Sequence, residues 1–276
     1  MNTQNVFVYW SGEMPSLISL LFELMRKRCK QYDLHFLNDE NVSEYIHVPK
    51  EYWDLKVNHK SDYIRANVIF HYGGIWLDAD TLVMEDLDDL FLILKISEGF
   101  LLREDNRVIC TGVFGAVRHS LLIEEWCRRL DVAITNPELG WSDLGPKMLN
   151  SVYEDTQLGH HFQVLNGIDT IYPINWRDCV DAYIESDDIK AIKRDFQPII
   201  VLVHSVYNAL IEYSRRELID MDNALGQLLR ESLDYDYFRQ QMTVSKRFKY
   251  SKNRFQYFES LCEGKSVLHV GFVDYP

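Results

Sequence analysis

The spacing of apolar residues changes period several times along the chain, and each change marks an element. Val6-Phe7-Val8-Tyr9-Trp10 is a β-rich run stopped by Ser11-Gly12, which predicts a strand and a turn. Pro15-Ser16 then opens a helix expected to reach about Tyr32, with Leu17, Leu20, Leu21, Leu24 and Met25 at helical spacing. Asp33–Leu37 reads as a second strand; residues 38–59 read as irregular, with a short helix around Glu51–Leu55. From Lys60 to Tyr72 no Pro or Gly intervenes, and Ser61 is placed to cap a helix. At about 100° per residue, Asp62, Arg65, Ile69 and Tyr72 share one stripe of it, beside an apolar stripe of Tyr63, Ala66 and Phe70. Gly73-Gly74 ends that helix. Ile75-Trp76-Leu77 is too short for another and reads as a buried strand. It delivers Asp78-Ala79-Asp80 to its carboxyl end, where open α/β sheets place ligands.

Further on, Leu87–Leu94 reads as a short helix or edge segment, and Gly99–Arg103 and Gly112–Val117 as strands flanking Glu104-Asp105-Asn106. His119–Ala133 is amphipathic, and Pro146 suits the first turn of a following helix. Phe162–Leu165, Thr170–Tyr172 and Ile199–Val203 are further predicted strands, the last ending at His204. The β–helix–β opening predicts a parallel, nucleotide-binding sheet. From Glu217 onward the chain changes character. Leu218–Ser232 and Phe248–Cys262 read as helices joined by the aromatic, basic stretch Tyr235–Tyr250, and Gly264–Gly271 as a strand and a glycine turn.

With 276 residues, 47% of them hydrophobic, the chain can bury one large core with an appendage. A formal net charge of -13 argues against a nucleic-acid surface, which needs clustered Lys and Arg. The five cysteines (Cys29, Cys110, Cys127, Cys179, Cys262) are odd in number and lack C-x-x-C spacing, so they read as reduced thiols of a cytosolic protein. Neither a signal peptide nor an apolar run of about 20 residues is visible. The expected location is the cytoplasm, with action at the inner face of a membrane left open.

Two carboxylates one residue apart at a strand end repel each other, and a divalent cation removes the repulsion. Mg²⁺ or Mn²⁺ takes one or two carboxylates and fills its other positions with phosphate oxygens and water, which suggests a nucleotide-sugar enzyme. A bare D-x-D is weak, since a solvated acidic turn with Glu85, Asp86, Asp88 and Asp89 would look the same. The wider pattern is more specific. Over Ser61–Asp80 the sequence S-D-x-x-R, then G-G, then an apolar-aromatic-apolar triplet and D-x-D, resembles the donor-site signature of the DXD-containing sugar transferases. That group includes the family-32-like capsular transferases and the large glucosylating bacterial toxins.

The resemblance implies a GT-A type α/β fold, with a mixed, mostly parallel central sheet over residues 1–216 and a helical extension over 217–276. It implies a retaining hexosyltransferase that takes a UDP-sugar with Mn²⁺ or Mg²⁺ and glycosylates a saccharide or lipid-linked saccharide. Capsule or O-antigen synthesis is the expected setting. Trp10 would stack on the base; Asp62 and Arg65 would hold ribose, sugar hydroxyls or phosphate; Tyr72 completes the donor-binding set. Asp78 would bind hydroxyls beside the metal, held by Asp80 with His204, and Asp143 would serve the donor sugar or acceptor. No side-chain base is needed, because the leaving phosphate can take the acceptor proton. The match has departures: Asp143-Leu144 precedes Gly145-Pro146 where Thr or a small residue is expected, Thr111 stands near where Asn is usual, and Tyr207-Asn208 replaces Ser-Trp.

Two other readings use the same residues. Leu77–Thr81 also fits the D-x-D-x-T of a haloacid-dehalogenase-like phosphatase, with Asp78 as nucleophile and Asp80 as acid/base. A sugar-nucleotide-binding domain without turnover is the other. The segment Gly264–Gly271 resembles the opening strand of a class I S-adenosylmethionine-dependent methyltransferase, which implies a longer two-domain protein; a final edge strand is its alternative.

Overall fold

The first apolar run forms strand β1 (Asn5–Tyr9), buried along its whole length as an uninterrupted apolar strand requires. The computed structural model describes residues 4–104, 108–167, 171, 173–193 and 198–233. Around β1 assemble β2 (Asp33–Leu37), β3 (Gly74–Leu77), β5 (Gly99–Glu104), β6 (Val108–Ala116) and β7 (Phe162–Asn166), while β4 (Thr81–Val83) falls between β3 and β5 in sequence and β8 (Ile199–Val201) follows β7. The six-stranded sheet has the order β2-β1-β3-β6-β5-β7. β1 runs parallel to β2 and β3, and β5 parallel to β7, whereas β6 is antiparallel to both its neighbours. The sheet is therefore mixed and mostly parallel. β4 and β8 form a separate antiparallel ribbon.

Helices α2 (Val57–Tyr72), α4 (Leu121–Ala133) and α5 (Pro146–Asp155) cover one face of the sheet. There Phe7, Trp76 and Phe114 meet Tyr63, Trp126 and Leu149 in one core. Helix α3 (Asp88–Ile96) packs across β3, β5 and β6, and α1 (Ser16–Arg28) packs on β4.

Helix α2 differs from its two-stripe expectation. It starts at Val57, so Ser61 is an interior residue and not a cap, and every residue from Asp62 to Ile69 is buried. Burial all round marks a helix enclosed by its neighbours. Helix α1 ends at Arg28, short of Tyr32. The expected strand Ile199–Val203 stops at Val201, and α6 (Val203–Ala209) begins two residues on. The expected helix Leu218–Ser232 is two, α7 (Arg215–Asp220), opened by a Ser214–Glu217 capping box, and α8 (Ala224–Leu233). Arg28 and Lys27 of α1 donate to the Ser232 and Leu233 carbonyls at 2.5 and 2.6 Å, fixing α8 against the body. The predicted helix Phe248–Cys262 and strand Gly264–Gly271 lie outside the described residues, as does Thr170–Tyr172 apart from Ile171. Among the described residues no helix is long and apolar enough to cross a membrane.

The α2–β3 junction needs its two glycines. Gly73 and Gly74 have φ of 67° and 119°, and a Cβ on Gly74 would press into the Asn5 carbonyl oxygen of β1. Gly12 also has a positive φ, 93°, but open space around it. Gly74→Ala is therefore expected to cost at least about 2 kcal/mol more in urea denaturation than Gly12→Ala, the excess being steric. Equal costs would show that the junction can shift.

Candidate functional site

Because β1 and β3 are parallel neighbours, their carboxyl ends open side by side, and the residues that follow them, Trp10 and Asp78, face one cleft of about 800 Å³. Strand β6 supplies the third side. Its antiparallel pairing sets Val113 against Leu77, and the Asp78 amide donates to the Gly112 carbonyl at 2.7 Å. The β4–β8 ribbon supplies the fourth. Leu202 donates its amide to the Asp80 carbonyl at 3.1 Å, so His204 enters the cleft two residues beyond that bond. Val203, between them, has φ 69°, a strained conformation for a β-branched residue at a cleft wall.

Asp62 and Arg65 reach the cleft from the N-terminal half of α2, which runs back over the end of β3 that carries Asp78. The Arg65 guanidinium is engaged with protein on several sides. It donates to the Thr111 carbonyl at 2.5 Å, to the Ser61 carbonyl at 3.2 Å and to the Ser61 hydroxyl at 2.8 Å. It also pairs with Asp62 at 3.4 Å and Asp78 at 3.2 Å, and lies over the Trp76 ring at 5.2 Å from its centroid. The Trp76 indole donates to Asp78 Oδ1 at 2.8 Å. Arg65 thus orients carboxylates on two sides, Asp62 and Asp78.

Three carboxyls around one guanidinium leave negative charge uncompensated. Burial pushes Asp62 up to about 7, with Arg65 pulling down and Asp78 pushing further up. Burial and the neighbouring Asp78 push Asp80 up to about 7, and burial also raises Asp78 against the opposing pull of Arg65. The Asp80 carboxylate takes a hydrogen bond from its own backbone amide. This donor set fits a hard divalent cation bound through Asp80, with Asp78 beside it. His204 is turned toward Asn208, whose amide lies 3.0 Å from Nδ1. No group of three His, Cys, Asp or Glu side chains among the described residues is poised to enclose an ion. An ion bound through Asp80 would take its remaining positions from substrate oxygens and water.

The cleft brings together Trp10, Asp62, Arg65, Asp78, Asp80 and His204, but two expected members lie elsewhere. Tyr72 shares the helical stripe of Asp62 yet sits ten residues further along, about 15 Å down the axis. Its hydroxyl donates to the Tyr45 carbonyl at 2.9 Å and its ring packs near Phe7. Asp143 locks its own loop: it accepts from the Gly140 amide at 2.7 Å and from Lys147 at 2.9 Å, and those bonds hold it well below the usual carboxylate range. The neighbouring Gly145 does approach the site. A Cβ there would land on the Asp62 carboxylate, so the Gly145-Pro146 segment seats directly against the S-D-x-x-R helix.

Sequence reasoning passed over several contributors. Asp39, just past β2, accepts from Tyr9 (2.7 Å), Ser11 (2.8 Å), Tyr52 (3.1 Å) and Lys60 (3.0 Å), tying the end of β1 to α2. Burial would raise its pKa, but the bonds from Tyr9, Lys60 and Ser11 outweigh it and hold the carboxyl below its ordinary value. Trp141, Trp176 and Tyr207 also line the cleft. Exposed tryptophans in polar loops were the available signal.

Residues 1–108 match the family described as Capsular polysaccharide synthesis protein. The crystal structure of the apo-form glycosyltransferase GlyE from Streptococcus pneumoniae TIGR4 superposes with a TM-score of 0.50 at 15% identity, over 85% of this chain and 64% of that one. The fold is of the GT-A type. A glycosyltransferase involved in glycosylation of the major capsid of PBCV-1 aligns at 12% identity and TM-score 0.47, over 76% of this chain and 99% of that one. No curated protein matches this chain. At 15% identity the likeness to GlyE shows the fold alone, and this GT-A chain spans 64% of the GlyE chain's length.

Two outcomes are expected from the carboxyl cluster. With folded pKa values of about 7, Asp62 and Asp80 keep protons that the unfolded chain loses from about pH 4 upward. Each therefore contributes stability that is complete below about pH 4 and lost as the pH rises through about 7. In EDTA, the decline in melting temperature from about pH 5 to about pH 8 should be shallower for Asp80→Asn than for wild type; equal slopes would refute a buried, proton-holding Asp80. Gly145→Ala should cost about 1–3 kcal/mol, and Asp62→Ala in the same chain should remove most of that cost by making room. Strict additivity in the double-mutant cycle would mean the two do not touch.

Proposed function

We propose that the chain is a metal-dependent glycosyltransferase that moves a sugar from a UDP-sugar to a saccharide acceptor in bacterial capsule or related surface-polysaccharide synthesis. The observation that carries this reading is the meeting of Trp10, Asp62, Asp78 and Asp80 in one cleft at the carboxyl ends of β1 and β3. The match of residues 1–108 to the capsular family and the GT-A architecture support it.

In this reading the base stacks on Trp10, whose indole is fixed by donation to the Glu13 carbonyl at 3.3 Å and by an edge contact with Tyr207. Asp78, with Oδ1 tied to Arg65 and Trp76, presents its remaining oxygen to ribose or sugar hydroxyls. Asp62, seated between Arg65 and Gly145, accepts from a sugar hydroxyl. Asp80, with His204 nearby, holds Mn²⁺ or Mg²⁺, which when bound offsets the charge developing on the leaving diphosphate. Retention of configuration follows from the resemblance, and with it the leaving phosphate serves as the acceptor's base. The phosphatase reading is disfavoured because Asp78, its nucleophile, has one oxygen bonded to both Arg65 and Trp76. It would also have to act from the third strand of a mixed sheet.

Calorimetric titration of UDP into wild type and Asp80→Ala, with and without Mn²⁺, tests the reading. Metal-dependent binding is expected in wild type, weakened at least about tenfold, or 1.4 kcal/mol, in the variant. Metal-independent binding, or none in wild type, would overturn the UDP-and-metal assignment.

A further inference from the structure

The cleft carries more aromatic surface than a nucleotide base needs. Trp10, Tyr207, His204 and Trp141 form an arc of rings, with successive centroids 5.8, 5.9 and 5.9 Å apart. If the base occupies the Trp10 end and the diphosphate the middle, beside Asp80 and His204, Trp141 stands at the far end, where the transferred sugar meets its acceptor. Trp141 is 71% exposed and Trp176, across the same cleft, 47% exposed. Indoles this open at a cleft rim, above a floor of carboxylates, combine a flat apolar face with nearby hydrogen-bond acceptors. A saccharide ring presents the matching pair, a face of C–H groups and an edge of hydroxyls.

The charge around the cleft narrows the class. The described lining residues include five carboxyl groups, with Glu13 and Glu104 added to the aspartates, and one guanidinium, Arg65, which is already bonded to protein. A UDP-sugar carries roughly the charge that one divalent ion neutralises, so the described lining of the loaded cleft is still acidic toward whatever arrives second. Arg177 lies over Trp176 at 4.4 Å but is not among the cleft-lining residues.

We infer that Trp141 and Trp176 form an acceptor platform for an uncharged saccharide, selecting against uronic-acid and phosphorylated glycans. The inference rests on the transferase reading above and adds to it the residues and charge class of the acceptor side.

An array of printed neutral, uronate-bearing and phosphorylated oligosaccharides, probed with the full chain in UDP and MnCl₂, tests it. Wild type should be retained on neutral glycans alone, and Trp141→Ala and Trp176→Ala should each lower that signal at least about fivefold, while UDP affinity by calorimetry stays within about twofold of wild type. Both indoles are exposed, so the variants should fold normally; unchanged thermal melts check this. Retention on anionic glycans, undiminished retention in the double variant, or no retention by a wild type that binds UDP would each overturn the platform. Neutral-glycan retention by a protein that fails to bind UDP would overturn the donor reading and leave the platform standing; failure of both would overturn both.

Discussion

Arg65 is the interaction on which the site's geometry depends. One guanidinium links three elements: its own helix through Ser61, strand β6 through the Thr111 carbonyl, and the end of β3 through Asp78. Buried ion pairs stabilise weakly when complete and are costly when one partner is lost, so this link favours a unique arrangement more than a deep energy minimum. It also falls short of neutrality by design. Asp62 and Asp78 pair with the single cation, and Asp80, two residues beyond Asp78, has a backbone amide and a weaker pull from Arg65 against the repulsion of its neighbour. On the proposed reading, a floor with surplus negative charge would attract a divalent ion without a preformed cage, and that ion would in turn make an anionic donor acceptable there.

The sheet explains why these groups meet at all. Parallel β1 and β3 bring the residue after each strand to one side, and the antiparallel return of β6 places Thr111 and Gly112 beside Asp78. Gly73-Gly74 lets α2 fold back tightly enough for Asp62 and Arg65 to overhang that same edge. At the other wall, the ribbon of β4 and β8 delivers His204 through a strained Val203. Strain of about 1–3 kcal/mol at such a point persists only where surrounding contacts impose it, here the bond from Leu202 to the Asp80 carbonyl.

Much of this was legible because the chemistry was local in sequence. The Ser61–Asp80 pattern named the helix, the glycine stop, the strand and four of the site residues, and β1 and β2 followed from their apolar runs. What escaped was non-local. A helical wheel places Tyr72 beside Asp62 but does not record the axial distance that separates them. The polar run before α2 gave no sign that its Asp39 would collect four donors from three segments. Asp143 took its expected role from the resemblance of the segment leading to Gly145-Pro146, with a helix cap as the alternative, and a carboxylate three residues after an amide and four before a lysine also closes a loop. The strand before His204 was read two residues too long, since apolar composition does not distinguish the end of a strand from the start of a buried helix.

On the proposed reading the division of labour is asymmetric. The donor side is built on strand ends and a buried helix, whose side chains are fixed by packing and by bonds that do not involve substrate. The acceptor side is built on loops, where Trp141 follows Gly140 and Trp176 precedes Arg177, and where the indoles are 71% and 47% exposed. Rigid elements suit a ligand whose diphosphate and metal must be placed within a fraction of an ångström, whereas loops can change their aromatic rim without disturbing that geometry. An enzyme built this way could keep one donor chemistry while its rim is altered for different acceptors, with specificity for the second sugar carried by residues that contribute little to the fold.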